Sequence, residues 1–336
     1  MEAAPRSDLT PLRRPIAAFA LAWAAQAALA WALPLVADEA YYLAWSRALA
    51  PGYLDHPPGV AFWMALGGGH PRLPGLFLLP IAWCLLADAA RRFGLVHWAW
   101  VPAAVMATPL GFSAGLFVTP DAPLTFFVCA AIWAVAAERP VGVGLALGLA
   151  LWSKSTALVA IPGFLLVLGP RRGALAAAIA LAVHAPHIIW SLNHDGLPWT
   201  FQRSLRHLSG LHLPEFIGGQ LLVVTPLVAW VAARAWLRPR DALGRRLRAL
   251  SLPAWLVFAA LSLGTRVEAN WPAVAWPAAL LLVLRHPQAR RAFTVAAVLT
   301  ALAAVGLPIL HALAPPGAGP PRDGPALRAC LAAATP

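Results

Sequence analysis

Charged residues are scarce in this sequence: Asp, Glu, Lys and Arg make up 11% of its 336 residues, and only 13 residues are acidic. Apolar side chains account for 60% of the chain. This composition excludes an ordinary soluble domain, because soluble proteins carry far more charge and less apolar surface. The sequence therefore predicts an all-α, polytopic integral membrane protein.

Cysteine is scarce as well. The three cysteines, Cys84, Cys129 and Cys330, lie far apart, and two of them are inside apolar runs. This spacing argues against both a disulfide framework and a cysteine-based metal site.

The positive charge is gathered in short clusters between apolar runs, at residues 13–14, 91–92, 171–172, 238–248 and 285–291. A net charge of +12 would suggest a nucleic-acid partner for a soluble domain. Here the placement instead indicates membrane topology, because Lys and Arg accumulate in cytoplasmic loops. No nucleic-acid partner is expected.

Eleven apolar runs predict about eleven membrane helices, at residues 15–37, 73–90, 97–116, 123–137, 141–153, 155–169, 173–191, 215–237, 250–264, 272–285 and 292–312. The first run has full spanning length and predicts an uncleaved anchor. Residues 1–312 would form one transmembrane domain, followed by a Pro/Ala-rich tail at 313–336. With the N-terminus inside, most Lys and Arg are cytoplasmic, whereas most acidic residues lie on the external side.

The first external loop, residues 38–72, is unusually rich in polar groups. Between residues 38 and 58 it contains three carboxylates, one histidine and all three tyrosines of the chain. Residues 39–50 have the pattern of an interfacial helix, which the Pro-Gly pair at 51–52 ends. An extended segment through 58 follows, in which Asp55 and His56 point to opposite sides.

This loop resembles the first external loop of the GT-C membrane glycosyltransferases. The similar bacterial branch contains protein O-mannosyltransferase-like, aminoarabinose transferase-like and lipopolysaccharide-core galacturonosyltransferase-like enzymes. The matching stretches are Asp-Glu-Ala-Tyr-Tyr at 38–42, Gly-Tyr-Leu-Asp-His-Pro-Pro at 52–58, Thr-Pro-Asp-Ala-Pro-Leu at 119–124 with Phe-Phe at 126–127, Trp-Ser-Lys at 152–154 with Pro162, residues 186–190 with Asn193, Trp199, Phe201 and Gln202, and Glu-Ala-Asn-Trp-Pro at 268–272. Together they cover most of residues 15–285.

The resemblance implies an inverting transferase in the bacterial inner membrane, with a periplasmic active site. It would move a sugar from a polyprenyl-phosphate carrier to a lipid, glycan or protein acceptor. Asp38 takes the role of general base by this resemblance, and the alternative is that it only caps the interfacial helix. A phosphate leaving group needs no protein acid, so one base is enough.

Substrate and phosphate contacts are expected from a further set of residues: Glu39, Tyr42, Tyr53, His56, Asp121, Lys154, Arg203, Arg206, His207, Glu268, Asn270 and Trp271. Three alternatives stay open. Asp121 sits where a helix cap is expected, and Lys154, the only lysine, has the option of snorkelling to the interface. Arg203, Arg206 and His207 share one helical face, which suits either the donor phosphate or the headgroups of membrane lipids.

Two further hypotheses concern a metal and a rival function. The aminoarabinose branch has an acid and a lysine where this chain has Asp55 and His56. One expectation for this difference is a divalent ion held by Glu39, Asp55 and His56. The rival function is a transporter or lipid flippase. Transporters place ionisable groups near the membrane midplane, whereas these groups gather at one surface.

Overall fold

The computed structural model describes residues 10–204 and 210–313, and this part of the chain contains helices and no strand. The α-helices are α1 (Arg13–Ala32), α2 (Ala37–Trp45), α3 (Gly59–Ala65), α4 (Leu73–Arg92), α5 (Val101–Met106), α6 (Pro109–Ala114), α7 (Asp121–Ala136), α8 (Pro140–Ser153), α9 (Ile161–Leu168), α10 (Pro170–Leu192), α11 (Leu197–Ser204), α12 (Leu213–Val224), α13 (Pro226–Leu237), α14 (Ala242–Leu261), α15 (Trp276–Leu284) and α16 (Ala289–Leu313). Short 3-10 helices cover Thr10–Leu12, Trp98–Trp100, Ser155–Val159 and Trp271–Ala275. The predicted all-α fold is confirmed.

Each of the eleven predicted runs coincides with a helix or with a broken pair of helices. Within the described residues, four helices are long and apolar enough to cross a membrane by themselves: Arg13–Ala32, Leu73–Arg92, Pro170–Leu192 and Ala289–Gly306. The helices α12 and α13 also pass this test together, but they are bent by 107° at Thr225. The count of eleven spans stays a prediction.

The predicted interfacial helix is shorter than expected, because α2 ends at Trp45 rather than at residue 50. The hydroxyl of Tyr53 explains this early end. It lies 2.8 Å from the carbonyl oxygen of Ala48 and accepts a hydrogen bond of 3.0 Å from the N–H of Ala50. These contacts fold the chain after Trp45 into a turn around the Tyr53 side chain.

The centre of the bundle is the row formed by α4, α7, α8 and α10, each packed on the next. Two glycines bring α8 close to α10. A Cβ on Gly144 would lie 2.7 Å from the carbonyl oxygen of Ala176, and one on Gly148 would lie 2.6 Å from Val183. Small residues four apart permit this close approach between membrane helices, and they fix the end of α8, where Lys154 follows.

Candidate active site

Three residues from three separate motifs form one hydrogen-bonded cluster, Asp121, Lys154 and Asn270. The Lys154 Nζ lies 2.8 Å and 2.9 Å from the two carboxylate oxygens of Asp121. The Asn270 side-chain N–H donates to Asp121 Oδ2 at 2.6 Å. Lys154 and Asp121 are 5% and 9% exposed, so this is a buried ion pair.

The backbone places Lys154 at this point. The residue is extended, with φ −159° and ψ 135°, between α8 and the following 3-10 helix. Its backbone therefore interrupts the helical path inside an otherwise apolar stretch. Lysine has three N–H donors, and within the described residues two of them are used by Asp121. The third is left for a further acceptor.

Asp121 is the first residue of α7, and Pro120 occupies the N-cap position. Pro120 has no side chain that caps the helix, and the Thr119 hydroxyl accepts the Asp121 N–H at 3.4 Å. Asp38 likewise lies inside α2, whose N-cap is Val36. Both capping alternatives are therefore wrong. The Asp121 carboxylate instead accepts from Lys154 and Asn270, and the Asp38 side chain is exposed.

The first loop is fixed to the bundle at three points. The Nδ1–H of His187 donates to the carbonyl oxygen of Pro51 at 2.9 Å. Gly52 lies against the Trp190 ring, where a Cβ would come within 2.1 Å of a ring carbon. The side chain of Gln202 donates to the carbonyl oxygen of Asp55 at 2.9 Å. These contacts hold the loop against α10 and α11.

The Tyr42 side chain is buried, and three carboxylates lie within electrostatic range of it. Burial is the largest cause that raises the pKa of Tyr42, and the negative charges of Asp55, Asp38 and Asp121 raise it further. Because a charge acts over a limited distance, all three carboxylates lie within range of Tyr42. The ring of His56 is also close, with its centroid 6.0 Å from that of Tyr42. The first external loop and the motif at 119–124 are therefore close to each other near Tyr42.

Asp55 stands out among the acids because burial raises its pKa, and the charge of Asp38 adds to the effect. The hydroxyl of Tyr41 donates to Asp55 Oδ1 at 3.2 Å and lowers the pKa of Asp55, so it opposes the effect of burial. In the unfolded chain this carboxyl titrates near 3.8. Below that pH the Asp55 carboxyl is protonated in both the folded and the unfolded protein, and its contribution to the free energy of unfolding is fully present. As the pH rises through the higher folded pKa, this contribution is lost.

We therefore expect Asp55→Asn to raise the melting temperature of the detergent-solubilised protein at neutral pH. The gain over the wild type should shrink as the pH falls toward 3.8, because the wild-type carboxyl is then neutral too. Thermal unfolding followed across this range measures the difference. A gain that grows at acidic pH would contradict the assignment.

Glu39 is directed away from this cluster, into the protein. It is fully buried, and it binds Arg72 through both carboxylate oxygens, at 2.8 Å from Nε to Oε1 and 2.5 Å from Nη2 to Oε2. Its oxygens also accept the N–H groups of Val118 and Val36, each at 3.1 Å. The structure therefore makes Glu39 the partner of a cation, Arg72, and the predicted substrate contact of Glu39 does not fit this geometry.

The predicted metal set is not assembled. Glu39 has its acceptor positions filled by protein donors, Asp55 accepts from Tyr41, and His56 lies beside the Tyr42 ring. Among the described residues, no three His, Cys, Asp or Glu side chains converge as metal ligands. The divalent ion expected from Glu39, Asp55 and His56 therefore does not fit this geometry.

Other predicted residues lie at the margin. Tyr53 stacks on Trp45 with ring centroids 4.2 Å apart. Glu268 is exposed and pairs with Arg266 at 3.2 Å, and Trp271 packs near Phe258.

The predicted basic face is described only in part. Arg203 is exposed, and it makes no ion pair within the described part of the chain. Arg206 and His207 lie outside the described residues, as does most of the predicted tail. The choice between donor phosphate and lipid headgroups therefore stays a prediction.

Sequence reasoning missed two residues that hold the cluster in place. Arg72 is one, and the signal for it was an arginine on the predicted external side, where the topology rule disfavours it. Gln220 is the other. It donates to the carbonyl oxygen of Ala269 at 3.0 Å and accepts from the Trp276 ring N–H at 3.1 Å. It thereby fixes the residue before Asn270.

Proteins similar to this chain include one curated relative and two solved structures. The chain is 29% identical over 280 residues to the lipid A galacturonosyltransferase RgtD of Rhizobium johnstonii. The aligned part is 74% of this chain and 59% of the relative, so the chain spans less than two thirds of that protein. No protein-family model matches.

The solved structures are two of ArnT from Cupriavidus metallidurans. The form bound to undecaprenyl phosphate matches with a TM-score of 0.68 and 19% identity, over 92% of this chain and 67% of ArnT. The apo form matches with a TM-score of 0.65 and 18% identity, over 91% and 66%. This likeness extends over nearly all of the chain and establishes a shared fold.

Proposed function

We propose that this chain is a membrane glycosyltransferase of the GT-C superfamily and that it transfers a sugar from a polyprenyl-phosphate carrier to a lipid acceptor. The observation that carries the proposal is the buried cluster of Asp121, Lys154 and Asn270, which brings three separate motifs together. The charges of Asp38 and Asp121 both act on Tyr42, so the first loop lies close to this cluster. The cluster supplies a partly used ammonium group, and Asp38 supplies an exposed carboxylate, which together suit this chemistry.

Asp38 is the proposed general base. Its side chain is exposed, so an acceptor hydroxyl can approach it. The carboxylate takes the proton of that hydroxyl while the oxygen attacks the anomeric carbon from the face opposite the carrier. The bond from the anomeric carbon to the phosphate oxygen breaks, and the configuration inverts. The electron pair leaves with the carrier phosphate, which needs no protein acid.

Lys154 is the proposed contact for that phosphate. Its third N–H is available, and its position is fixed by two bonds to Asp121. A charge-assisted hydrogen bond strengthens as negative charge builds on the departing phosphate, so it lowers the barrier. Arg203 at the margin is a second cation for the carrier, together with Arg206, His207 and His56.

The names of the similar proteins suggest which substrates to propose first. RgtD is named for lipid A and galacturonate, and ArnT was solved with undecaprenyl phosphate. We propose undecaprenyl-phosphate galacturonic acid as donor and lipid A as acceptor, in the bacterial inner membrane with the active site facing the periplasm. Membrane lipids surround the bundle, and glycan or protein acceptors remain the alternatives for testing.

The test is a reaction of the purified chain in proteoliposomes with this donor and lipid A, followed by mass spectrometry of the lipids. We expect lipid A to gain one uronosyl unit and free undecaprenyl phosphate to appear. Parallel reactions with undecaprenyl-phosphate aminoarabinose test the choice of sugar. Donor that crosses the bilayer unchanged, with no acceptor modified, would support the transporter or flippase and contradict the proposal.

A further inference from the structure

We infer that Arg72 is a positioning residue, which acts through Glu39 to set the distance between Asp38 and the Asp121 cluster. The inference rests on the proposed function, because it assigns Asp38 and Asp121 to one reaction. Arg72 itself is 6% exposed and is saturated by protein acceptors, so it has no free donor for a substrate.

The Arg72 guanidinium is fully used. Arginine has five N–H donors in a planar fork, and each has an acceptor here. The carbonyl oxygens of Ala30, Leu33 and Pro34 each lie 2.8 Å from a terminal nitrogen. The other two bonds reach Glu39. Arg72 therefore joins the start of α4 to the end of α1 and to α2.

The Glu39 carboxylate extends this connection to the other half of the site. Its Oε1 accepts the Val118 N–H at 3.1 Å, three residues before Asp121. Its own neighbour in α2 is Asp38, the proposed base. One fully buried carboxylate thus holds the segments that carry Asp38 and Asp121, and Arg72 is the cation that pairs with it there.

Lysine cannot replace this fork, because it presents three donors from a single point. In Arg72→Lys the charge is kept, but the carbonyl oxygens of α1 and one oxygen of Glu39 lose their donors. We expect kcat to fall by about 10²-fold, since a displacement near 1 Å costs about that much. The KM for undecaprenyl-phosphate galacturonic acid should stay unchanged, because Arg72 does not contact it.

Hydrogen exchange supplies a measurement that needs no activity. In Arg72→Lys, peptides covering 36–45 and 117–121 should exchange faster together, while peptides of α16 should not change. Glu39→Gln, which keeps an acceptor for Val118, should show a smaller effect of the same kind. Arg47→Lys, an exposed arginine in the same loop, is the matched control and should keep wild-type kcat and exchange.

The outcomes distinguish the proposed function from the positioning role of Arg72. If the wild type transfers no sugar, the proposed function fails, and hydrogen exchange alone decides whether Arg72 couples the two segments. If the wild type is active and Arg72→Lys keeps its kcat, the positioning role is overturned. It is equally overturned if the exchange of 117–121 stays at the wild-type level, or if KM rises in proportion as kcat falls.

Discussion

Replacing Asp38 by Asn should lower the rate of sugar transfer by about 10²–10⁴-fold, the usual contribution of a positioned general base. The amide has nearly the same shape but cannot take the acceptor proton. The Asp38 side chain is exposed, and no hydrogen bond within the described residues depends on it. We therefore expect the variant to fold normally and to bind the carrier with wild-type affinity.

The matched control is Asp195→Asn, an exposed acid on the same predicted side of the membrane. Asp195 has φ 55°, a conformation that asparagine also accepts, so the fold is not strained. This variant should retain full activity. Initial rates and carrier affinity for both variants separate the chemical step from binding, and full activity in Asp38→Asn would remove the general-base role.

Replacing Lys154 by Met should have the largest effect on stability. The change leaves the Asp121 carboxylate buried without its cation, and breaking a buried pair in this way costs about 3–5 kcal/mol. We expect a strongly lowered melting temperature and poor yield. Arg172→Met is the matched control, because Arg172 is exposed and its contact with Glu138 is long, at 3.5 Å, so little stability should be lost.

A double variant separates folding from phosphate binding. In Asp121→Asn with Lys154→Met the buried charge is gone, and the amide introduced in place of the carboxylate keeps an oxygen for the Asn270 side chain. Most of the lost stability should return. Transfer activity and affinity for undecaprenyl phosphate should not return, because the ammonium group is still missing. Recovery of wild-type affinity for the carrier would show that Lys154 serves the fold alone.

The helical bundle could be predicted from the sequence. Apolar runs of spanning length must be helical in lipid, because every backbone polar group needs an internal partner. The predicted fold is confirmed by the match to ArnT. The breaks were harder to place. The bend at Thr225, with φ 75°, has only one local signal, the proline that follows at 226, and the apolar run continues through it.

The site was predictable where motifs carried it. Asp121, Lys154 and Asn270 come from motifs up to 149 residues apart, and the structure brings them into hydrogen-bonding contact. Their roles in transfer stay predictions. The role of Glu39 was harder to predict, because Glu39 and its neighbour Asp38 are both carboxylic acids and the sequence alone does not distinguish them. Only the fold decides that Asp38 is exposed, whereas Glu39 is turned inward to Arg72.

The central claim is that loops distant in sequence surround the phosphate of a lipid carrier. A structure of the inactive Asp38→Asn variant with undecaprenyl-phosphate galacturonic acid tests it most directly. We predict the carrier phosphate within hydrogen-bonding distance of Lys154 Nζ, and the anomeric carbon between that phosphate and residue 38. A carrier phosphate bound elsewhere, with the Asp121–Lys154 pair untouched, would contradict the account.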